Sequence, residues 1–416
     1  MKLLWFSNIS ISEELRSSGT WIYSMFHNLI KNDSISHITN ITLGNSSHIL
    51  NKTGNKYSEY VIPKKWLVNK RKASKAFVTF INRFLESNII DIIHIWGMEM
   101  PWAIGVLKTK TNTPILLEIQ GFKGVCSSYF NGNFDKLPRN ILGRLEFLYP
   151  KISNQYTKKR FIEYEKTEQE ILPLIKYFNT QSDWVRNILD YKYKVKANIF
   201  KTDIILRDSF TKGEVWNNPF IGGNNPVLFT TSSPIPYKGV HVIIEALAML
   251  KEKYPNIKLN IAGIINTKFN RIANGYIRYI DKRIKKLSLE NNVVFYGNLS
   301  EYELVNCLHK CNIFINASFV ETYCLALAEA LMIGVPSVAS YSAALPELMG
   351  KESGEMFPPG DSIFLASKID ELLSNPEKCS SISKKASEIM RERINIDKIV
   401  EQQLSTYHNI IDESHN

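Results

Sequence analysis

Cysteine is scarce in this chain of 416 residues, and long apolar runs are missing. The five cysteines, Cys126, Cys307, Cys311, Cys324 and Cys379, form no C-x-x-C pair, and their odd number argues against a disulfide framework. Cys307 and Cys311 share a helix face with no histidine nearby, so they do not read as a metal site. No stretch approaches the run of about 20 apolar residues that spans a bilayer. The opening Met1-Lys-Leu-Leu-Trp-Phe-Ser breaks at Ser7-Asn8, so it is expected to be a first strand and not a signal peptide. Cytoplasmic residence is the expectation that follows. Zinc-finger, RNP and helix-turn-helix patterns are absent, so nucleic acid is not an expected partner. Low-complexity tracts and internal repeats are absent too.

What is present describes packed domains. Hydrophobic residues make up 44% and aromatics 11%, enough for real cores, and the length suits two domains. The net charge of +11 is uneven: residues 1–208 hold 30 Lys/Arg against 18 Asp/Glu, while the remainder is nearly neutral. The first half is therefore expected to meet something anionic, a bilayer surface or a diphosphate-bearing lipid. Lys64, Lys65, Lys70, Arg71, Lys72 and Lys75 run into Phe77, Phe80 and Phe84, with Ala73 and Ile81 on the same helical face. Such a segment docks on anionic membrane, packs its aromatics into a core, or does both.

Strand-like and helix-like patterns alternate throughout, which predicts parallel sheets covered by helices. In the first half, 2–7, 36–42, 89–95 and 114–119 read as strands, with helices over 20–31 and 70–85. In the second half the strands are 227–231, 257–262, 293–296, 313–316 and 337–339. The Pro/Gly/Asn-rich stretch Trp216–Pro226 reads as a linker. The expected domains are 1–215 and 216–394, followed by a terminal helical segment, 395–416.

The most informative stretch is Glu321-Thr-Tyr-Cys-Leu-Ala-Leu-Ala-Glu329, closed by Gly334 and Pro336. One glutamate precedes an apolar helix pattern and the other lies inside it. Eight positions at about 1.5 Å each separate them by roughly 12 Å, about the distance from the sugar ring to the ribose of a sugar nucleotide. Between them, a helix N-terminus favours a diphosphate. The acids sit at the carboxyl end of a strand, Phe314-Ile-Asn-Ala-Ser-Phe-Val, where open α/β sheets bind ligands.

This stretch resembles the E-x7-E signature of the retaining GT-B glycosyltransferases of family 4. The resemblance extends to Val293-Val-Phe-Tyr-Gly297-Asn-Leu-Ser-Glu and Ser342-Ala-Ala-Leu-Pro346-Glu347-Leu. More loosely, Asp91-Ile-Ile-His-Ile-Trp-Gly97, Ile119-Gln-Gly121 and Ser182-Asp-Trp184 resemble a branch that makes bacterial surface polysaccharides. The resemblance implies two Rossmann-like domains facing a central cleft, the first for the acceptor and the second for the donor nucleotide, with the last helix crossing back onto the first domain. It also implies a metal-independent hexosyltransferase without cofactor, using a UDP-sugar in preference to a GDP-sugar. The acceptor would be a lipid-linked glycan at the inner face of the plasma membrane.

On that resemblance Glu321 holds donor-sugar hydroxyls and Glu329 the ribose. Lys238, in Ser232-Ser-Pro-Ile-Pro-Tyr-Lys-Gly239, reaches the diphosphate as a point charge. Thr322, Tyr323, Cys324, Leu325, Ala326 and Gly297 line the donor site, and Gly19 lets backbone approach a phosphate unless it is a simple turn. Two departures stand out. Ser233 replaces the usual arginine, and Gln120 stands where histidine is common. A glutamine positions a hydroxyl but moves no proton at neutral pH. His94 lines the cleft or is a packed core histidine; Asp183 and Trp184 are acceptor-side candidates, with a buried tryptophan the alternative. No D-x-D dyad sits where a metal-dependent donor site needs one. The rival readings are a sugar-nucleotide epimerase and a non-catalytic partner subunit of a membrane glycan-synthesis complex.

Overall fold

The structure is a computed structural model that describes residues 1–11, 20–45, 49–67, 73–98, 101–217 and 225–415. The chain divides into two compact units. The first comprises 1–123, 164–207 and 394–416; the second comprises 124–163 and 208–393. Among the described residues no helix is long and apolar enough to cross a membrane.

The first unit is built on eight strands: β1 (Lys2–Phe6), β2 (His37–Gly44), β3 (Leu50–Gly54), β4 (Tyr57–Pro63), β5 (Ile92–Trp96), β6 (Ile115–Glu118), β7 (Tyr177–Thr180) and β8 (Asn198–Lys201). Their order is β3-β4-β2-β1-β5-β6-β7-β8, all parallel except the β3–β4 hairpin. Leu3, Leu4, Trp5 and Phe6 of β1 are fully buried, and so is all of β5, as expected of strands covered on both faces. Trp5 is the hub, with its ring centroid 4.8 Å from Trp96 and 6.3 Å from Phe26. The helix of the basic segment begins at Lys75 and not at 70, because Ser74 caps it by accepting the Phe77 N–H at 3.1 Å. Its aromatics turn inward. Phe77 is buried, and Phe80 and Phe84 pack on Tyr60 at 6.0 and 5.6 Å. Lys64, Lys65 and Lys75 stay exposed, while Lys70, Arg71 and Lys72 lie outside the described residues.

The second unit carries β9 (Val227–Thr231), β10 (Lys258–Ala262), β11 (Val293–Gly297), β12 (Ile313–Asn316), β13 (Ser337–Ser340) and β14 (Glu355–Phe357). The order is β11-β10-β9-β12-β13-β14, entirely parallel. Its core joins Val240–Leu250 of the helix Val240–Lys253 to Leu259, Ile261, Ile313, Ile315 and Val338 of the sheet. Both sheets thus carry the expected α/β architecture.

Packing departs from the linker at 216 in two respects: residues 124–163 and 208–215 cluster with the second unit. Polar contacts explain the first. Asn133 Oδ1 lies 2.6 Å from His241 Nε2, and Asn154 Nδ2 donates to Asn274 Oδ1 at 3.0 Å. The terminal helix Ile396–His415 belongs to the first unit, where the Tyr407 hydroxyl meets His94 Nδ1 at 2.8 Å.

Candidate active site

In the second sheet the strand order reverses between β9 and β12, the kind of switch point outside which open α/β sheets bind ligands. The loop after β9 ends in a short turn, Pro236–Lys238; the loop after β12 runs from Ala317 to Cys324. The two loops are tied together, since the Phe319 N–H donates to the Tyr237 carbonyl at 2.7 Å. Lys238 Nζ then donates to Glu321 Oε1 at 2.6 Å, and Ser318 Oγ donates to the same oxygen at 2.7 Å. Ser318 is fixed in turn, because the hydroxyls of Ser340 and Ser342 both donate to its carbonyl. The Ala344 N–H holds the backbone carbonyl of Glu321 at 3.1 Å. The structure therefore brings Lys238 and Glu321, 83 residues apart, into one ion pair.

Electrostatics keeps the Lys238 ammonium charged. Burial pulls the Lys238 pKa down, but the negative charge of Glu321 and the Tyr237 and Cys324 groups outweigh it, so the ammonium titrates above the ordinary lysine value. Burial pushes the neighbouring Tyr237 phenol up as well, against the pull of Lys238.

The helix Leu325–Ile333 follows, with Gly334 as C-cap at φ +90°. Only residues 325–329 follow its rise, about 6 Å, and the rest of the path from Glu321 to Glu329 is loop. The continuous helical rise expected from Glu321 to Glu329 therefore holds only from Leu325 onward. Glu329 is 6% exposed, Thr322, Leu325 and Ala326 are half-buried, and Tyr323 is buried beneath Arg393, whose guanidinium carbon lies 5.8 Å from the ring centroid. The Ala328 N–H donates to the Cys324 carbonyl at 3.1 Å, so an anion at this end would be met by the amides of Leu325 and Ala326 at the start of the helix.

Cys324 turns the chain into the helix at φ +90°, a left-handed conformation rare outside glycine. Its Sγ accepts from Asn316 Nδ2 at 3.1 Å. Burial, reinforced by the Glu321 charge, pushes the thiol up to about 12. At pH 8 its thiolate fraction should be about 10⁻⁴, against roughly a quarter for an ordinary thiol of pKa about 8.5. Alkylation of the native protein followed by mass spectrometry should find Cys324 slower by about 10³-fold than a model thiol. Alkylation at the model rate would mean that the loop holding Glu321 opens.

The other candidates are carried by other elements. Gly297, at φ +66°, ends β11, three strand positions from β12, or about 14 Å across the sheet. Gln120, His94, Asp183 and Trp184 belong to the first unit. Gln120 follows β6 and is half-buried. His94 is fully buried, stacked on Trp96 at 3.9 Å between centroids and 3.4 Å from Glu118 Oε2. Desolvation holds its pKa below the ordinary value despite Glu118, so it is a neutral core histidine. Asp183 is exposed and pairs with Lys201 at 3.1 Å, while Trp184 is half-buried. Gly19 lies outside the described residues.

Sequence reasoning missed Ser318, Tyr237, His241 and Arg393. His241 is buried between Tyr276, 2.8 Å from its Nδ1, and Asn133; burial lowers its pKa to about 4. Its position three residues after Lys238 was the only available signal, and Arg393 offered none. Among the described residues no group of three or more His, Cys, Asp or Glu side chains is placed to hold a metal.

Residues 216–389 match the model of the family "Glycosyl transferases group 1". Protein CapJ of Staphylococcus aureus is 23% identical over 393 residues, 91% of this chain and 88% of CapJ. A protein named as a colanic acid biosynthesis glycosyltransferase, WcaL of Escherichia coli, is 25% identical over 177 residues, 41% of each chain. Anabaena HepE, solved in complex with UDP and glucose, superposes with a TM-score of 0.64 at 16% identity, covering 98% of this chain and 99% of HepE, a likeness of fold. The chain has the GT-B fold, and its residues 216–389 are similar to the glycosyl transferases of group 1.

Proposed function

We propose that this glycosyltransferase moves a hexose from a nucleoside diphosphate sugar, a UDP-sugar in preference to a GDP-sugar, onto a hydroxyl of a lipid-linked glycan in surface polysaccharide synthesis, with retention of anomeric configuration. The observation that carries the reading is the Lys238–Glu321 pair, 2.6 Å apart, at the switch point and just ahead of the Leu325–Ile333 helix. A diphosphate placed there meets one ammonium and a helix N-terminus, while Glu321 presents its carboxylate to the sugar. The reaction asks for stabilisation of charge on the departing diphosphate more than for a strong base. The matches to CapJ and WcaL favour surface glycan as product. The basic first half, with Lys64, Lys65 and Lys75 exposed, supports a peripheral position on anionic membrane.

A thermal-shift screen of sugar nucleotides identifies the donor, because a ligand that binds only the folded state raises its stability. Release of nucleoside diphosphate with a lipid-linked acceptor then tests transfer. Donor binding without release would favour a non-catalytic partner subunit. Within this reading, Glu329 accepts hydrogen bonds from the ribose hydroxyls. Such bonds to a charged group contribute about 1.5–3 kcal/mol, so Glu329→Ala should weaken donor binding by roughly ten- to hundredfold. Unchanged affinity by calorimetric titration of the folded variant would remove the assignment.

A further inference from the structure

We infer that an exposed apolar surface on the second unit, centred on residues 141–149, seats in an anionic lipid bilayer. Ile141, Leu145 and Leu148 are 60, 57 and 58% exposed. They are not scattered. Gly143–Leu148 is a 3₁₀ helix with three residues per turn, so Leu145 and Leu148 stand one above the other on a single face. The Tyr149 ring rests on Phe269 at 5.1 Å, and Phe269 is itself 44% exposed. The segment is fastened to the helix Lys268–Ala273 by the Ile141 N–H, which donates to the Ile272 carbonyl at 3.0 Å. An apolar face of this kind marks an interaction site.

Charge names the partner. Residues 135–151 carry four basic and two acidic side chains. Lys136, Arg139 and Lys151 are exposed around the apolar face, joined by Lys268 from the neighbouring helix. Among the described side chains of this rim Asp135 is the exposed acid, and Asp281 is engaged by Arg271 at 3.6 Å and Lys285 at 3.0 Å. Apolar side chains rimmed by lysine and arginine fit the boundary between acyl chains and anionic headgroups. A second copy fits poorly, because a two-fold interface would set like charges against each other around its rim. The basic segment of the first unit offers no equivalent, since its aromatics are turned inward.

The inference rests on the reading above only in that a lipid-linked acceptor brings the enzyme to a bilayer. Flotation of the full chain with phosphatidylcholine vesicles, with and without phosphatidylglycerol, tests it at low salt and at 1 M salt. The wild type should bind the anionic vesicles and keep a measurable fraction at 1 M salt, where the Debye length falls to about 3 Å and only apolar insertion survives. The triple variant Ile141→Ser, Leu145→Ser, Leu148→Ser should lose about tenfold or more in partitioning with its donor-induced thermal shift unchanged. Equal partitioning of variant and wild type, or no binding by the wild type, overturns the inference. A wild-type dimer in light scattering that the variant converts to monomer overturns it too, by making the face a protein contact. Because flotation needs no turnover, an enzyme that floats but releases no nucleotide would sink the functional reading and leave this surface standing.

Discussion

Lys238→Ala is expected to lower turnover at saturating donor by about 10²–10³-fold, the range seen when one preorganised donor to a developing negative charge is removed. The loss should be large here because cations are few. Ser233 occupies the position where the family resemblance leads one to expect an arginine, so on the function proposed above phosphate neutralisation would fall on Lys238 and the first turn of the Leu325–Ile333 helix. The substitution also frees Glu321 from its ion pair, leaving that oxygen to Ser318. Lys238→Arg should rescue little, since a planar fork does not fill the place of a compact ammonium 2.6 Å from one carboxylate oxygen. Steady-state kinetics with melting curves as control would check this. Near-normal turnover of a folded Lys238→Ala would move the phosphate site elsewhere.

The fold was legible where hydrophobic periodicity is strong. β9 and β12 stand where their apolar runs place them, and the Gly334 stop ends its helix as read. Strand β3, Leu-Asn-Lys-Thr-Gly, was not legible, because an exposed edge strand needs no apolar alternation. Its hairpin partner β4 follows the turn Asn55-Lys56, with Lys56 rather than a glycine at φ +57°. The site was legible as separate residues. Glu321, Glu329 and Lys238 could be named from spacing and resemblance, and the pairing of Lys238 with Glu321 comes from the parallel order β9-β12, which no local pattern reports. The serines behind Glu321 were invisible for the same reason. Ser340 and Ser342 act on Ser318 from the next strand and loop. The affiliation of residues 124–163 with the second unit rests on contacts distant in sequence, such as Asn154 to Asn274, the Ile141 N–H to the Ile272 carbonyl and Phe134 on Tyr276 and Tyr279, and an amphipathic pattern carries no trace of those. His94 shows the converse limit. Its strand position fits a cleft residue and a core residue equally, and only the Tyr407 ring, 313 residues away, makes it core.

Gly239→Ala should be the most damaging small substitution in the second unit. Gly239 sits at φ +72°, ψ 14°, between the Lys238 turn and the helix Val240–Lys253. A non-glycine residue there bears a torsional cost of about 1–2 kcal/mol. Steric overlap costs more. A Cβ would fall 1.9 Å from the Ala317 carbonyl oxygen and 2.7 Å from its carbon, and backbone cannot rotate away as a side-chain end can. Neither loop can yield cheaply, because the Phe319-to-Tyr237 backbone bond at 2.7 Å fastens them beside the clash. A total of about 3 kcal/mol or more would lower the melting temperature of this unit by about 6–12 °C, at about 2–4 °C per kcal/mol for its size. Gly143→Ala is the control: its φ is +54°, yet a Cβ there meets nothing within 4 Å, so it should bear the torsional cost alone. Calorimetry of the two variants separates strain from clash. If both melt alike, the approach of Gly239 to the strand exit is not what fixes the lysine. If Gly239→Ala alone falls and loses donor binding with it, the close approach of the two loops is what sets Lys238 opposite Glu321.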